Sequence, residues 1–426
     1  MSQAKDRAHP KKEKKVCEPK DPNLRRKAYK FRLSPTKKQV DKLGWILRRC
    51  KEVYNAALEE RREAYRMSGV SVSYRMQADQ LPAIKRLREE YRDIHSQVLQ
   101  DVLQRLDKAF QAFFCRVMNG ETPGFPRWKN GDRYHSITYP QGGFELLHGN
   151  RLHLSKIGHI KIKLHRAMQG KVKTCTIKRE GDQWYAILTC EYLRDVATAF
   201  HPSDEEVGVK VFAMLSTGEA IENPRHLRVE ESKMAAAHRT IHRRKKGSHR
   251  RHRAKKELAR VSRKVRNRRR DFHHKTSRSL VEQYRVIVFE DLQIKNLTAT
   301  PKPKQDKETG KYLPNGAAAK AGLSKSILDA GWGNFVRLCA SKAEEAGGTV
   351  VKVAPHFTTQ VCSECGVVAQ KDLSVRWHSC PGCGAEFDRD HNAARNILHR
   401  YQRNKLIGAG SVPQKPVSLR PEEPIL

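Results

Sequence analysis

Four cysteines constrain this chain more than any other feature. In CSECGVVAQKDLSVRWHSCPGCG they fall as C-x2-C, fourteen residues, C-x2-C, at Cys362, Cys365, Cys380 and Cys383. Two thiolate pairs at that spacing fill the tetrahedral shell of zinc, and a shell filled entirely by protein makes the metal structural, not catalytic. Gly366 and Gly384 follow the pairs and permit the tight turn that aims backbone amides at the sulfurs. The other six cysteines (Cys17, Cys50, Cys115, Cys175, Cys190 and Cys339) are scattered. That pattern suits a reducing compartment with one metal site better than a disulfide framework.

The 426 residues carry a net charge of +39, with 38% hydrophobic residues. Length suggests two to four structural units. An excess of positive charge on this scale calls for a polyanionic partner; a generically sticky basic protein is the bland alternative. No apolar run approaches the roughly 20 residues needed to cross a bilayer. The opening MSQAKDRAHPKKEKK is basic, with no apolar segment after it, which is not the pattern of a secretory signal. The expectation is no membrane partner and a cytoplasmic, nucleoid-associated location.

Along the chain, KAYKFRL (27–33) alternates as a strand. Apolar residues at three- and four-residue steps predict helices over 36–66 and about 92–117. The turn-rich GETPGFPRWKNGDR then breaks the pattern, and the short alternating runs SITYP, RLHLS, HIKIKLH, KTCTIKRE and QWYAILTCEY predict a small β-barrel or sandwich, joined by KAYKFRL. After 200 the pattern is mixed α/β: a hairpin, a basic helical region over 225–283, a strand ending at Glu290, a linker over 298–323, one long helix, the strand TVVKVA and the cysteine module.

Carboxylates stand at two informative places. YRVIVFEDL puts Glu290 at the C-terminal end of an apolar strand, where α/β sheets commonly present chemistry to a crevice. FDRDHNAARNIL puts Asp388 and Asp390 just before a helix, where Asp390 could ligate a metal or simply cap the helix. Phosphodiester cleavage by two metal ions requires several carboxylates converging on ions about 4 Å apart. Glu290 and Asp390 supply two, so a third must come from the first strand of the sheet.

The runs GFPRWKN, ILDAGWGNF, VFEDL, CSECG…CPGCG and FDRDHNAARNIL, in that order over about 27–402, resemble the transposon-associated TnpB family, compact relatives of type V CRISPR effectors. The resemblance implies a multidomain α+β and α/β protein. Its expected parts are a disordered basic arm (1–26), a wedge strand (27–34), a helical recognition lobe (35–122) and a β-barrel wedge domain (123–198). An RNase H-like (RuvC) domain follows (199–354, closing at 387–402), with a zinc-ribbon target-nucleic-acid-binding insert (355–386) and a disordered tail (403–426). It also implies a guide RNA, a double-stranded DNA target with a short adjacent motif, structural Zn2+, catalytic Mg2+ where the site is competent, and an Asp-Glu-Asp catalytic set. Glu290 matches the second member of that set and Asp390 the third.

At the first member the chain departs from the family. The family strand reads G-[IV]-D-[LV]-G-[VI]-K; here PSDEEVGVK places Glu206 at the aspartate, preceded by Asp204 and Glu205. Glutamate is one methylene longer, and a shift of about an ångström at a reacting centre can cost a hundredfold in rate. Unpaired acids in a central strand covered on both faces cost several kcal/mol. The sequence therefore predicts a strand starting late, near Val207, and cleavage lost or severely weakened; the benign alternative has Glu206 reaching the ion from a solvated loop. Three functions follow: a guide-directed DNA binder, an active magnesium-dependent endonuclease using Glu206, Glu290 and Asp390, and a zinc-ribbon protein that binds nucleic acid without a guide.

The run from 239 to 278 holds far more lysine and arginine than acid, with Leu258, Val261 and Val265 as a thin apolar stripe. It reads as a phosphate-tracking element, with Arg243, Arg244, Lys245 and Lys246 as leading contacts; a solvated run is the alternative. Tyr74, Gln97 and Gln100 match the family's contact positions for the adjacent motif, since Gln can pair with adenine in the major groove. Taken singly, each would be an ordinary surface or core-edge residue.

Overall fold

A computed structural model describes residues 24–130, 133–193, 205–206, 211–306, 309–371 and 375–407, with backbone alone at 205–206. Most of the expected arm and tail lies outside these residues, although strand β1 already begins at Leu24 and the last helix continues to Ile407. The chain divides into two compact units, Met1–Arg194 and Asp195–Leu426.

In the first unit β1 (Leu24–Ser34) leads into α1 (Lys37–Ser68). Thr36 starts that helix as a capping box: its side chain accepts from the Gln39 amide while Gln39 Oε1 accepts from the Thr36 amide, satisfying otherwise orphaned donors. Leu43, Ile46, Leu47, Cys50, Val53 and Tyr54 form its buried stripe. Next come α2 (Tyr74–Leu87), a 3-10 turn (Glu89–Asp93) and α3 (Ser96–Met118), which buries Val98, Leu99, Val102, Leu103 and Leu106 against α1. Strands β2 (Ser136–Tyr139), β3 (Phe144–Leu147), β4 (Arg151–Leu154), β5 (Gly158–Lys163), β6 (Lys171–Glu180) and β7 (Gln183–Leu193) join β1 in an antiparallel sheet ordered β2-β6-β7-β1-β5-β4-β3. The sheet curls as an open half-barrel with β1 near its centre. Alternate residues face the core, as Trp184, Ala186, Leu188 and Cys190 do along β7.

The second unit opens with β8 (Glu205–Glu206), β9 (Val211–Leu215) and β10 (Ala220–Glu222), followed by the antiparallel helices α4 (His226–Arg243) and α5 (His249–Gln283). Strand β11 (Val286–Glu290) leads through the short α6 (Ile294–Leu297) to a small hairpin, β12 (Lys304–Gln305) and β13 (Tyr312–Leu313). Helices α7 (Ala317–Ala330) and α8 (Trp332–Ala346) then cross back to β14 (Thr349–Val353), which pairs parallel to β11 from Val286↔Thr349 to Glu290↔Val353. The cysteine hairpin, β15 (Trp377–Ser379) and β16 (Glu386–Asp388), runs directly into α9 (Arg389–Ile407).

Strand pairing gives β10-β9-β8 and β11-β14, and β8 also lies beside β11. Read across that junction, and leaving aside the separate β12–β13 hairpin, the order is third, second, first, fourth and fifth strand of the unit, the RNase H-like arrangement. Phe212, Phe289 and Phe335, edge to face, centre its core.

Two expectations change here. The helix predicted across 323–348 is two helices, broken where Gly331 takes φ +68°; a Cβ there would approach the His273 ring at 3.1 Å. The strand expected to begin near Val207 already pairs at Glu205 (opposite Leu215) and Glu206 (opposite Met214). Ladder hydrogen bonds use backbone groups, so acidic residue types alone do not prevent the pairing.

Candidate carboxylate centre, zinc knuckle and basic helices

The four cysteines come together as their spacing requires. Their sulfurs lie within 4.8 Å of one another, with Cys362 Sγ 3.7 Å from Cys383 Sγ and Cys365 Sγ 3.5 Å from Cys380 Sγ. A tetrahedral zinc with bonds of about 2.3 Å has sulfur–sulfur edges of about 3.8 Å, so the cluster fits the ion. Each half is the same turn. The Gly366 amide donates to Cys362 O and the Gly384 amide to Cys380 O, both at 3.0 Å, with φ of +78° and +72° at the two glycines. Backbone amides of Cys383 and Gly382 draw the Cys380 thiol below its usual range, toward the thiolate that binds metal.

Glu290 ends β11 half-buried beneath the first arm of the knuckle, where the Thr358 hydroxyl donates to its Oε1 at 2.7 Å. Burial pushes its carboxyl above the ordinary range. The Thr358 bond and the Arg400 charge oppose that shift, and the Asp390 charge reinforces it. The two acids stand on neighbouring elements, β11 and α9.

Asp390 lies in the first turn of α9. The capping role left open for it belongs to Asp388, whose Oδ1 accepts from the Asp390 amide at 2.8 Å. The Asp390 carboxylate instead receives Arg376 Nη1 at 3.0 Å and Arg389 Nε at 3.4 Å. The backbone at position 206 belongs to β8, which adjoins both β11 and α9; the side chains of Asp204, Glu205 and Glu206 lie outside the described residues.

Sequence reasoning missed what joins knuckle to crevice. Asn392 and Asn396 stand one turn apart on the buried face of α9. Asn392 accepts from the Ser363 amide (2.9 Å) and donates to Val361 O (2.8 Å); Asn396 donates to Val361 O (2.6 Å) and Thr358 O (2.9 Å). One hydrogen-bonded path thus runs from the residues beside Cys362, through α9, to Thr358 and Glu290. The i, i+4 asparagines in DHNAARN were the available signal.

The basic region is a hairpin of α4 and α5. Buried Glu230 on α4 meets Lys264 (2.6 Å) and Arg268 (3.1 Å) on α5, and Val261 and Val265 form the seam. Arg243, Arg244, Lys245 and Lys246 close α4 and form the turn before Gly247, all exposed. Arg251 donates to the α4 carbonyls of Ile241 and Arg244, both at 2.8 Å, and so fixes that turn.

In the first unit, Tyr74 starts α2 and packs half-buried on the core, and Gln100 is exposed on α3. Gln97 already accepts the Gly142 amide at 3.0 Å, which leaves its oxygen one further lone pair and its amide nitrogen for a base contact. No helix among the described residues is long and apolar enough to cross a membrane.

Three family models match the chain: "Cas12f1-like, TNB domain" over residues 332–397, "Probable transposase" of the IS605 OrfB type over 206–300, and "Helix-turn-helix domain" over 24–69. The last segment is a strand followed by a single helix here. The chain is 31% identical over 381 residues to the "Putative RNA-guided DNA endonuclease InsQ" of Escherichia coli K12, covering 88% of this chain and 92% of that one. It is 32% identical over 403 residues to a "Putative RNA-guided DNA endonuclease" of Streptomyces pristinaespiralis, covering 92% and 93%. Among solved structures, a Cas12f1–sgRNA–target DNA complex aligns over 88% of this chain and 99% of that chain, at 13% identity and a TM-score of 0.44. The sequence match along nearly the whole length of two relatives establishes that the chain belongs to the TnpB family of IS605-type elements.

Proposed function

We propose that this protein is an RNA-guided, double-stranded-DNA-binding protein of TnpB type in which DNA cleavage is lost or severely weakened, leaving guide-directed occlusion of DNA. The observation that carries this reading is the acidic triplet Asp204-Glu205-Glu206 where the family strand has a glycine, an aliphatic residue and the first catalytic aspartate. Glu290, Asp390 and the cysteine knuckle are all retained, so the departure is confined to one arm. Mg2+ held by such acids would position the attacking water and stabilise the leaving oxygen. With glutamate at position 206 that alignment is off by a methylene.

The guide RNA and the target DNA are partners by family likeness, and the +39 charge supports both. In this reading RNA reads sequence while protein reads the adjacent motif and duplex shape. Residues 35–122 form the recognition lobe, 123–198 the wedge and 355–386 the zinc-bearing target-binding module. Tyr74, Gln97 and Gln100 contact the adjacent motif, and Arg243 to Lys246 contact backbone phosphates.

The second reading, an active endonuclease using Glu206, is favoured by the pairing of Glu206 in β8 beside β11. A plasmid assay with the native RNA, matched target and magnesium separates the two. The unmodified protein is expected to bind and leave the plasmid intact; robust cutting overturns the proposal. Rescue by Glu206→Asp assigns the loss to side-chain length alone, and binding without cutting by both chains implicates the neighbouring acids. Copurified RNA of one defined size is expected, and its absence would favour guide-independent binding.

A further inference from the structure

The Asp390 carboxylate carries its own cations. Arg376 Nη1 lies 3.0 Å from Asp390 Oδ2, while the Arg389 guanidinium lies 3.4 Å from Asp390 Oδ1. Both oxygens of Asp390 therefore face positive charge from within the chain, on a side chain only 15% exposed. The arrangement is anchored by backbone. The Arg389 amide donates to Arg376 O (2.8 Å) and Arg389 Nη1 to Val375 O (3.1 Å), which tie the start of the cysteine hairpin to the start of α9. Glu290, on the neighbouring β11, accepts from the neutral Thr358 hydroxyl.

A divalent ion held by Asp390 would have to share carboxylate oxygens that the guanidiniums now contact. We infer that Arg376 is a built-in counter-ion for Asp390 that competes with a divalent cation for this carboxylate and neutralises it without one. The inference rests on Asp390 being a site acid, as proposed above, and adds a residue that sets how readily the site takes metal. Arg389 is held through its backbone at the helix start, whereas Arg376, 44% exposed, is free to swing toward solvent or a phosphate when a metal arrives. Partial exposure limits the strength of the competition.

The test is a Mn2+ titration by calorimetry on the full-length, zinc-loaded protein without RNA or DNA. Arg376→Gln is expected to bind Mn2+ about two- to fivefold more tightly at low ionic strength, the range set by a partly exposed ion pair. The gain should shrink at high salt, where such pairs are screened. It should vanish in Arg376→Gln combined with Asp390→Asn, and Arg376→Lys, which keeps the charge, should match the parent. Zinc content and melting temperature verify that each variant is folded. Unchanged or weaker Mn2+ binding in Arg376→Gln, no Mn2+ binding in either chain, a gain that survives Asp390→Asn, or an equal gain from Arg376→Lys would each overturn the inference. The plasmid assay decides cleavage separately, so failure of either reading is visible by itself.

Discussion

The carboxylate centre has two kinds of arm. Glu290 and Asp390 sit on a cross-braced arm: an apolar strand paired residue by residue with its neighbour, and a helix pinned by two buried asparagines to the four-cysteine knuckle. Position 206 sits on the other, β8, which pairs with β9 and lies beside β11 and α9. The difference teaches where a polar centre can tolerate change. On the braced arm Glu290 and the start of α9 share their hydrogen-bonded supports with the cysteine knuckle, whereas position 206 meets the same helix from a separate strand.

The largest expected effect is on the braced arm. Cys380→Ser should abolish stoichiometric zinc, read by metal analysis, and destabilise the second unit by roughly 3–5 kcal/mol in denaturant unfolding, because metal binding and folding are one equilibrium here. Chelation of the parent should reproduce that loss. If zinc leaves without loss of stability, the knuckle is no brace and the comparison fails.

Asn392→Ala comes next. It strands the buried Ser363 amide beside the knuckle, while Val361 O keeps its bond from Asn396, and about 1–3 kcal/mol is expected from the same unfolding experiment. A cost under about 0.5 kcal/mol, typical of surface sites, would show that α9 is held by its apolar face alone.

Smallest is Glu290→Gln, expected to stabilise by about 0.5–1 kcal/mol at pH 7. The folded-state carboxyl is raised above its ordinary 4.5, so the stability it contributes is complete below 4.5 and is lost as pH rises through the folded value. The variant's advantage should therefore be near zero in acid and grow to its full size by neutral pH. An advantage independent of pH would place its cause outside this ionisation.

What could be read beforehand follows the same division. The knuckle, β11 with Glu290, and α1 and α3 were legible because spacing or periodicity alone reports them. Helix α2 was not: Pro82 lies inside it, and the helix is held instead by tertiary contacts, with buried Gln77 donating to Ala57 O and accepting from Arg61 Nε. Strand β3 was hidden by being four residues between glycine-containing turns. Thr358, Asn392 and Asn396 act through buried hydrogen bonds, and such polar residues look like any loop or helix residue until their partners are placed. The capping ambiguity at Asp390 needed coordinates too, since Asp388 and Asp390 both precede the helical pattern.

Strand β16 ends at Asp388 and α9 starts at Arg389, so no spacer separates the last metal-knuckle strand from Asp390. A substitution at that junction therefore disturbs a turn of the knuckle and an acid together. Position 206 reaches the same helix from β8 at the middle of the sheet, so a one-residue change there leaves the hydrogen bonds between α9 and the knuckle in place.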